Sequence, residues 1–189
     1  QQTGRVASID ENGFPQIIPM NFVFINDVVY MHSHIKGEKL ENIKRNQKVG
    51  FEVDKSLEFL PSYFSDPTDA SLADTLYISV VIKGNASIVL DKEEKTTALN
   101  GLMKKYQPEG GYEPIKPEMD VLDEVVVIKI VPESLRGKYK IGQHMDRKSR
   151  VNLAKQIMER NSPTAKETLD IMGFEIIDNE PKLVDDKLW

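Results

Sequence analysis

Short runs of alternating apolar and polar residues fill the first half of the chain, and three-to-four spacings dominate its end. Residues 5–9 (RVASI) alternate as a half-buried strand does. They stop at Asp10-Glu11-Asn12-Gly13, where Asn-Gly accepts the positive φ of a tight hairpin turn. Residues 15–25 form a second extended run, and Pro19 within it cannot donate to a ladder, which predicts an edge or a bulge there. Asn26-Asp27 makes the next turn, and residues 28–33 (VVYMHS) the third strand. Leu40 and Ile43 predict a short helix over 37–46, after which residues 49–53 return as a strand. Residues 55–75 carry Pro61 and Pro67 as breakers and predict a long loop, either a lid or partner-binding arm or an ordinary surface insertion.

Residues 76–90 are rich in β-branched side chains, with Gly84 marking a bulge or sharp bend. Leu99, Leu102, Met103 and Tyr106 line one side of a helix over 92–106, and EVVVIKIV (124–131) is a last strand ending at Pro132. Asp146 then caps a helix whose apolar face holds Val151, Ala154, Ile157 and Met158. Pro163 opens a second helix and Gly173 stops it. The pattern predicts a mainly β (α+β) protein, a six-stranded antiparallel barrel with flanking helices and a C-terminal helical tail. The expected boundaries are a barrel domain over 1–145, holding the 55–75 insertion, and a helical extension over 146–189. That tail would pack on a partner subunit or cap its own barrel.

Composition removes several chemistries. The 189 residues suffice for one good core, and 40% hydrophobic with 29% charged residues is ordinary for a globular chain. No apolar run is long enough to cross a bilayer, so no membrane partner is expected. No basic-then-apolar leader opens the chain, and anything upstream of Gln1 lies outside this sequence. The absence of cysteine excludes disulfides, thiolate metal sites and a cysteine nucleophile, and fits a cytoplasmic protein. A formal charge of −5, without a basic stripe, argues against nucleic-acid binding. With only His32, His34 and His144 available, a tetrahedral zinc site is not expected.

Chemistry concentrates in MHSHIKGEKLENIKRN, residues 31–46, where a strand runs into the start of a helix. The first amides of a helix have no intrahelical acceptor, and the helix dipole favours an anion there. Gly37 allows close backbone approach, Lys39 adds a mobile cation, and Ser33 adds a donor, with Lys36 and Lys44 reinforcing the field. That set suits a terminal phosphate; a lysine at a helix start is otherwise a solvated side chain. His32 and His34 alternate, so both would face a ligand or both would face solvent. His144 reads as a surface or interface residue. Tyr106 and Tyr112 read as packing residues or as an overhang of the cleft, while Asp185, Asp186 and Trp189 suggest no chemistry.

The order of motifs is more specific than any one of them. IPMNF (18–22), YMHSHIKGEKLENIKRN (30–46), VGFEVD (49–54), SVVIKGNA (79–86) and LMKKYQPEG (102–110) together resemble the FMN-binding split-barrel family over residues 5–131. That family holds the pyridoxamine 5′-phosphate oxidases and the nitroimidazole-resistance flavoproteins, and the resemblance is nearer to the latter. It implies a six-stranded Greek-key barrel that forms a homodimer with FMN at the subunit interface. The flavin ring would lie against Pro19, Met20, Asn21 and Phe22, with His32 and Ser33 beside the ribityl chain and phosphate. Gly37 and Lys39 would grip the phosphate, and Ser79 would touch the ring. Departures from the oxidases are Glu38, where they carry an arginine, and Phe22, where they carry a substrate-phosphate lysine. Their C-terminal arginine and histidine signature also has no counterpart. The implied activity is an FMN-dependent oxidoreductase reducing a small electron-poor acceptor, with no protein nucleophile. The alternatives are a haem-binding split barrel and a non-catalytic flavin or deazaflavin binder.

Overall fold

A computed structural model describes residues 1–185; Asp186 and Trp189 lie outside the described residues. In chain order the elements are β1 (Gly4–Ile9), β2 (Pro15–Met20), β3 (Val23–Ile25), β4 (Val28–Ser33), α1 (Glu38–Arg45), β5 (Lys48–Leu60), β6 (Asp74–Ile88) and α2 (Lys92–Tyr106). They continue as α3 (Val121–Glu124), β7 (Val126–Lys140), α4 (Arg147–Arg160), α5 (Ala165–Ile171), β8 (Phe174–Ile177) and β9 (Glu180–Leu183). One sheet runs in the order β2-β1-β5-β6-β7-β4-β3, seven strands where six were expected, because the 15–25 run divides into β2 and β3. Pro19 sits on the edge strand β2 opposite Arg5, a position where its missing N–H breaks no inner ladder.

The described residues form two compact units. The first comprises Gln1–Val53 and Val80–Arg136. Its β4 strand is apolar on both faces for a reason visible in its neighbours. Val29 and Met31 enter a core with Val6, Phe51, Ile82, Ile128 and Ile130, whereas Tyr30 enters another with Val127 and the α2 residues Ala98, Leu99 and Leu102. Leu40 and Ile43 lay α1 on the first core as the spacing predicts, each burial contributing roughly 1.5–3 kcal/mol. The buried Asn42 amide completes that attachment, donating to the Ser8 hydroxyl at 3.3 Å and to Gln16 Oε1 at 3.2 Å. Arg45 donates to Asn42 Oδ1 and to the Ile9 carbonyl, so α1 is tied to the first hairpin through polar bonds as well.

A polar clamp holds α2. Glu94 accepts from the Tyr30 hydroxyl at 2.9 Å and from the Lys129 ammonium at 2.9 Å on each oxygen. Burial, then the Glu94 carboxylate, pushes the Tyr30 phenol up to about 12. Gly84 lies within a continuous β6, where a Cβ would come within 2.4 Å of the Val131 carbonyl oxygen. The close approach of β7 is what requires glycine there. Strand β7 also runs on past Pro132, since a proline removes only one donor on one side of a strand.

The second unit comprises Asp54–Ser79 and the chain from Gly137 on. Residues 55–60, expected as loop, belong to β5, and the loop is confined to residues 61–73, with 3₁₀ turns at Ser62–Phe64 and Ala70–Leu72, before β6 begins. The reason is burial. Leu57, Leu60 and Leu76 pack with Ile141, Leu153, Ile157 and Leu169, an apolar set that becomes visible only when the tail is present. Asp146 caps α4 by accepting from the Ser149 amide at 3.0 Å, as its sequence predicts. The tail is not wholly helical. Asp178 and Asn179, at φ 54° and 61°, turn β8 into β9, a hairpin absent from the expectation above. No helix among the described residues is long and apolar enough to cross a membrane.

Candidate functional site

The end of β4 and the start of α1 carry the exposed chemistry of the first unit. Met31 and Ser33 are buried and His32 is exposed between them, so the strand directs its histidine away from the core. His34 lies just past the strand and is exposed too. The buried Ser33 hydroxyl donates to the His34 carbonyl at 3.0 Å, and the Lys36 amide donates to His34 Nδ1 at 3.2 Å. These two bonds fold the 33–36 segment into a compact corner leading to the helix.

Gly37 is the N-cap of α1 at φ 151° and ψ 150°, backbone that L side chains rarely adopt. It offers no side chain to the first amides, and a Cβ built on it would meet nothing within 4 Å. The amides of Glu38 and Lys39 have no acceptor inside the helix, by the geometry of any helix start. Lys39 is half-buried beside them and Lys36 is exposed. A glycine cap and open amides, with lysines one residue before and two residues after the cap, are groups of the kind that bind a phosphate-sized anion. Lys44 is not part of it, because its ammonium pairs with Glu41 at 2.9 Å. Glu38 is exposed and lines a recess of about 270 Å³ with Asp10, Glu11, Asn12 and Glu41. Among the described residues no cluster of histidine and carboxylate side chains is suited to hold a metal ion.

The other expected segment is Pro19 to Phe22. Pro19 and Met20 end β2, Asn21 is exposed, and Phe22 immediately precedes β3. Since Val23 pairs with Tyr30, the β3–β4 hairpin joins this segment to the strand that carries His32 and Ser33. Met20 and Phe22 also pack on the core that holds Met31 and Leu40. The structure therefore brings two of the expected groups to one core of the first unit. Ser79 is half-buried on β6 and belongs to the second unit.

Phe22 is held more firmly than its sequence suggests. The Tyr106 hydroxyl accepts from the Phe22 amide at 2.8 Å, and the Lys105 ammonium donates to the Phe22 carbonyl at 2.7 Å. The same ammonium lies 3.3 Å from the centroid of the Phe22 ring, whose edge meets Phe51 with centroids 5.1 Å apart. Burial holds Lys105 below the usual lysine range. Sequence reasoning missed Lys105, because basic residues in the last turn of a helix are ordinary dipole partners. Only the fold aims it at Phe22.

A sequence profile of the pyridoxamine 5′-phosphate oxidase family matches residues 1–139. The chain belongs to this family. Solved structures agree with its split-barrel fold. A candidate 5-nitroimidazole antibiotic resistance protein from Bacteroides thetaiotaomicron superposes with a TM-score of 0.60 at 24% identity, over 72% of this chain and 75% of that one. A flavocytochrome from Azotobacter vinelandii gives a TM-score of 0.60 at 17% identity, over 74% and 62% of the two chains. A FAD- and haem-binding protein from Mycobacterium smegmatis gives 0.57 at 12% identity, over 74% and 65%. These likenesses establish the shared fold. No curated protein matches the chain.

Proposed function

We propose that the chain is a cytoplasmic FMN-dependent oxidoreductase that reduces a small electron-poor acceptor and works as a homodimer with FMN at the subunit interface. The observation that carries this reading is the glycine-capped, side-chain-free start of α1 with Lys36 and Lys39 beside it. A mononucleotide ends in one phosphate of about the charge and size such a corner accommodates. Gly37 and Lys39 bind that phosphate, while the buried Ser33 hydroxyl fixes the loop that leads to it. His32 lies alongside the ribityl chain. Pro19, Met20, Asn21 and Phe22 support the polar edge of the ring. When bound, FMN supplies the transfer of a hydride or electrons, and the protein binds, orients and shields it. This division of labour accounts for a site with no protein nucleophile.

The test is a titration of purified protein with FMN and with riboflavin, followed by flavin fluorescence, and then an assay of reduced-nicotinamide oxidation with a nitroaromatic acceptor. FMN binding well ahead of riboflavin, with acceptor-dependent turnover, supports the reading. Tight binding without turnover of any donor makes the protein a carrier or sensor instead. Dilution to monomer releases flavin if two subunits share the site. A second reading, haem ligation, draws on the exposed His32 and His34; the FAD- and haem-binding protein from Mycobacterium smegmatis shares the fold. A sharp haem absorbance band in place of paired flavin bands supports that alternative.

A further inference from the structure

Lys105 is an unusual lysine for a helix end. Its neighbours are a carbonyl oxygen and two aromatic rings, those of Phe22 at 3.3 Å and Tyr106 at 5.1 Å, and no carboxylate pairs with it among the described residues. A solvated lysine has no reason to sit so. Its charge is partly withdrawn from water and is met by the Phe22 carbonyl and two ring faces, with no carboxylate to neutralise it. Tyr106 acts on the same short segment, its hydroxyl meeting both the Phe22 amide at 2.8 Å and the Phe22 carbonyl at 3.1 Å. Two successive residues of α2 thus fix the backbone of one residue, and that residue stands in the segment assigned above to the polar edge of the flavin.

We infer that Lys105 and Tyr106 are positioning residues for the flavin: Tyr106 fixes the Phe22 backbone, and the Lys105 ammonium provides the positive charge that favours the reduced ring. This rests on the flavin reading above. Two-electron reduction, by dithionite for example, adds negative charge to the pyrimidine edge of the ring, and a nearby cation not paired with a carboxylate stabilises that charge. The Phe22 ring and carbonyl together favour this position of the ammonium.

The experiment measures the two-electron midpoint potential of the FMN-loaded protein against reference dyes, in wild type and in Lys105→Met, Lys105→Gln and Lys105→Arg. Glutamine retains a hydrogen bond to the Phe22 carbonyl without the charge. The expected result is a roughly tenfold loss in the reduction equilibrium for both Met and Gln, about 30 mV more negative, with Arg near wild type. Should Lys105→Met fail to fold, Lys105→Gln alone decides. Wild-type potential in the glutamine variant overturns the charge assignment, and a potential shifted equally in the arginine variant does the same. Wild-type protein that binds no flavin contradicts the proposed function, a failure distinct from unchanged potentials in flavin-loaded variants.

Discussion

A buried carboxylate of the second unit and the open helix start of the first treat polar groups in opposite ways. In the second, Glu58 of β5 is 3% exposed and fully engaged. The Arg160 guanidinium donates to it at 2.9 Å, the Thr164 hydroxyl at 3.0 Å, and the Ser162 hydroxyl also. That carboxylate gathers the junction between α4 and α5, and its polar capacity is used up within the unit. In the first unit the start of α1 is the reverse: Gly37 caps without a side chain, and Lys36 and Lys39 flank it in sequence, one exposed and one half-buried. A saturated buried charge is architecture, because removing a partner leaves the rest stranded. An unsaturated, accessible donor set contributes little to folding and is available to a ligand.

The largest effect expected from this contrast is on stability. Glu58→Ala removes the acceptor shared by three donors and should lower unfolding stability by roughly 3–5 kcal/mol in urea or thermal melts. Lys39→Ala, by contrast, should change stability by no more than about 0.5 kcal/mol. It should weaken FMN by about 1.5–3 kcal/mol and leave riboflavin unaffected, as read by flavin fluorescence. Equal losses for both ligands would remove the phosphate from this corner. Gly37→Ala lies between the two, since φ 151° is strained for alanine and the strain costs about 1–3 kcal/mol. Part of that loss should appear as weaker FMN binding in the same titration.

The smallest effect concerns pH. Tyr30 is held up to about 12, against about 10 for an unfolded phenol. Its contribution is therefore whole below about pH 10, where both states keep the proton. It fades as pH rises toward 12, because the unfolded phenol ionises first. Tyr30→Phe should remove that part of the alkaline slope in melts across this window, without touching FMN affinity at neutral pH. A variant that keeps the wild-type slope would show that the clamp around Glu94 does not hold the phenol neutral.

The sequence carried a large part of this architecture in its local patterns. Alternation gave the strands of the first unit, and Leu40 and Ile43 gave the buried face of α1. Gly37 and Lys39 were legible because a helix start has a chemistry of its own. What escaped was chiefly tertiary. Residues 55–60 look aperiodic until the tail's Leu153, Ile157 and Leu169 supply the surface they bury against. Lys105 reads as an ordinary last-turn cation until the fold sets it over Phe22. The β8–β9 hairpin is a different case: Asp178-Asn179 between short apolar runs is a turn signal present in the chain, overshadowed by the helical spacing before it.

The most direct test of the account follows the backbone amides of Gly37, Glu38 and Lys39 by NMR while FMN, and separately riboflavin, is added. The account predicts large shifts at these three amides with FMN and small ones with riboflavin, alongside similar shifts at Asn21 and Phe22 for both ligands. Identical responses of the α1 amides to the two ligands, or no response to FMN at saturation, would contradict it.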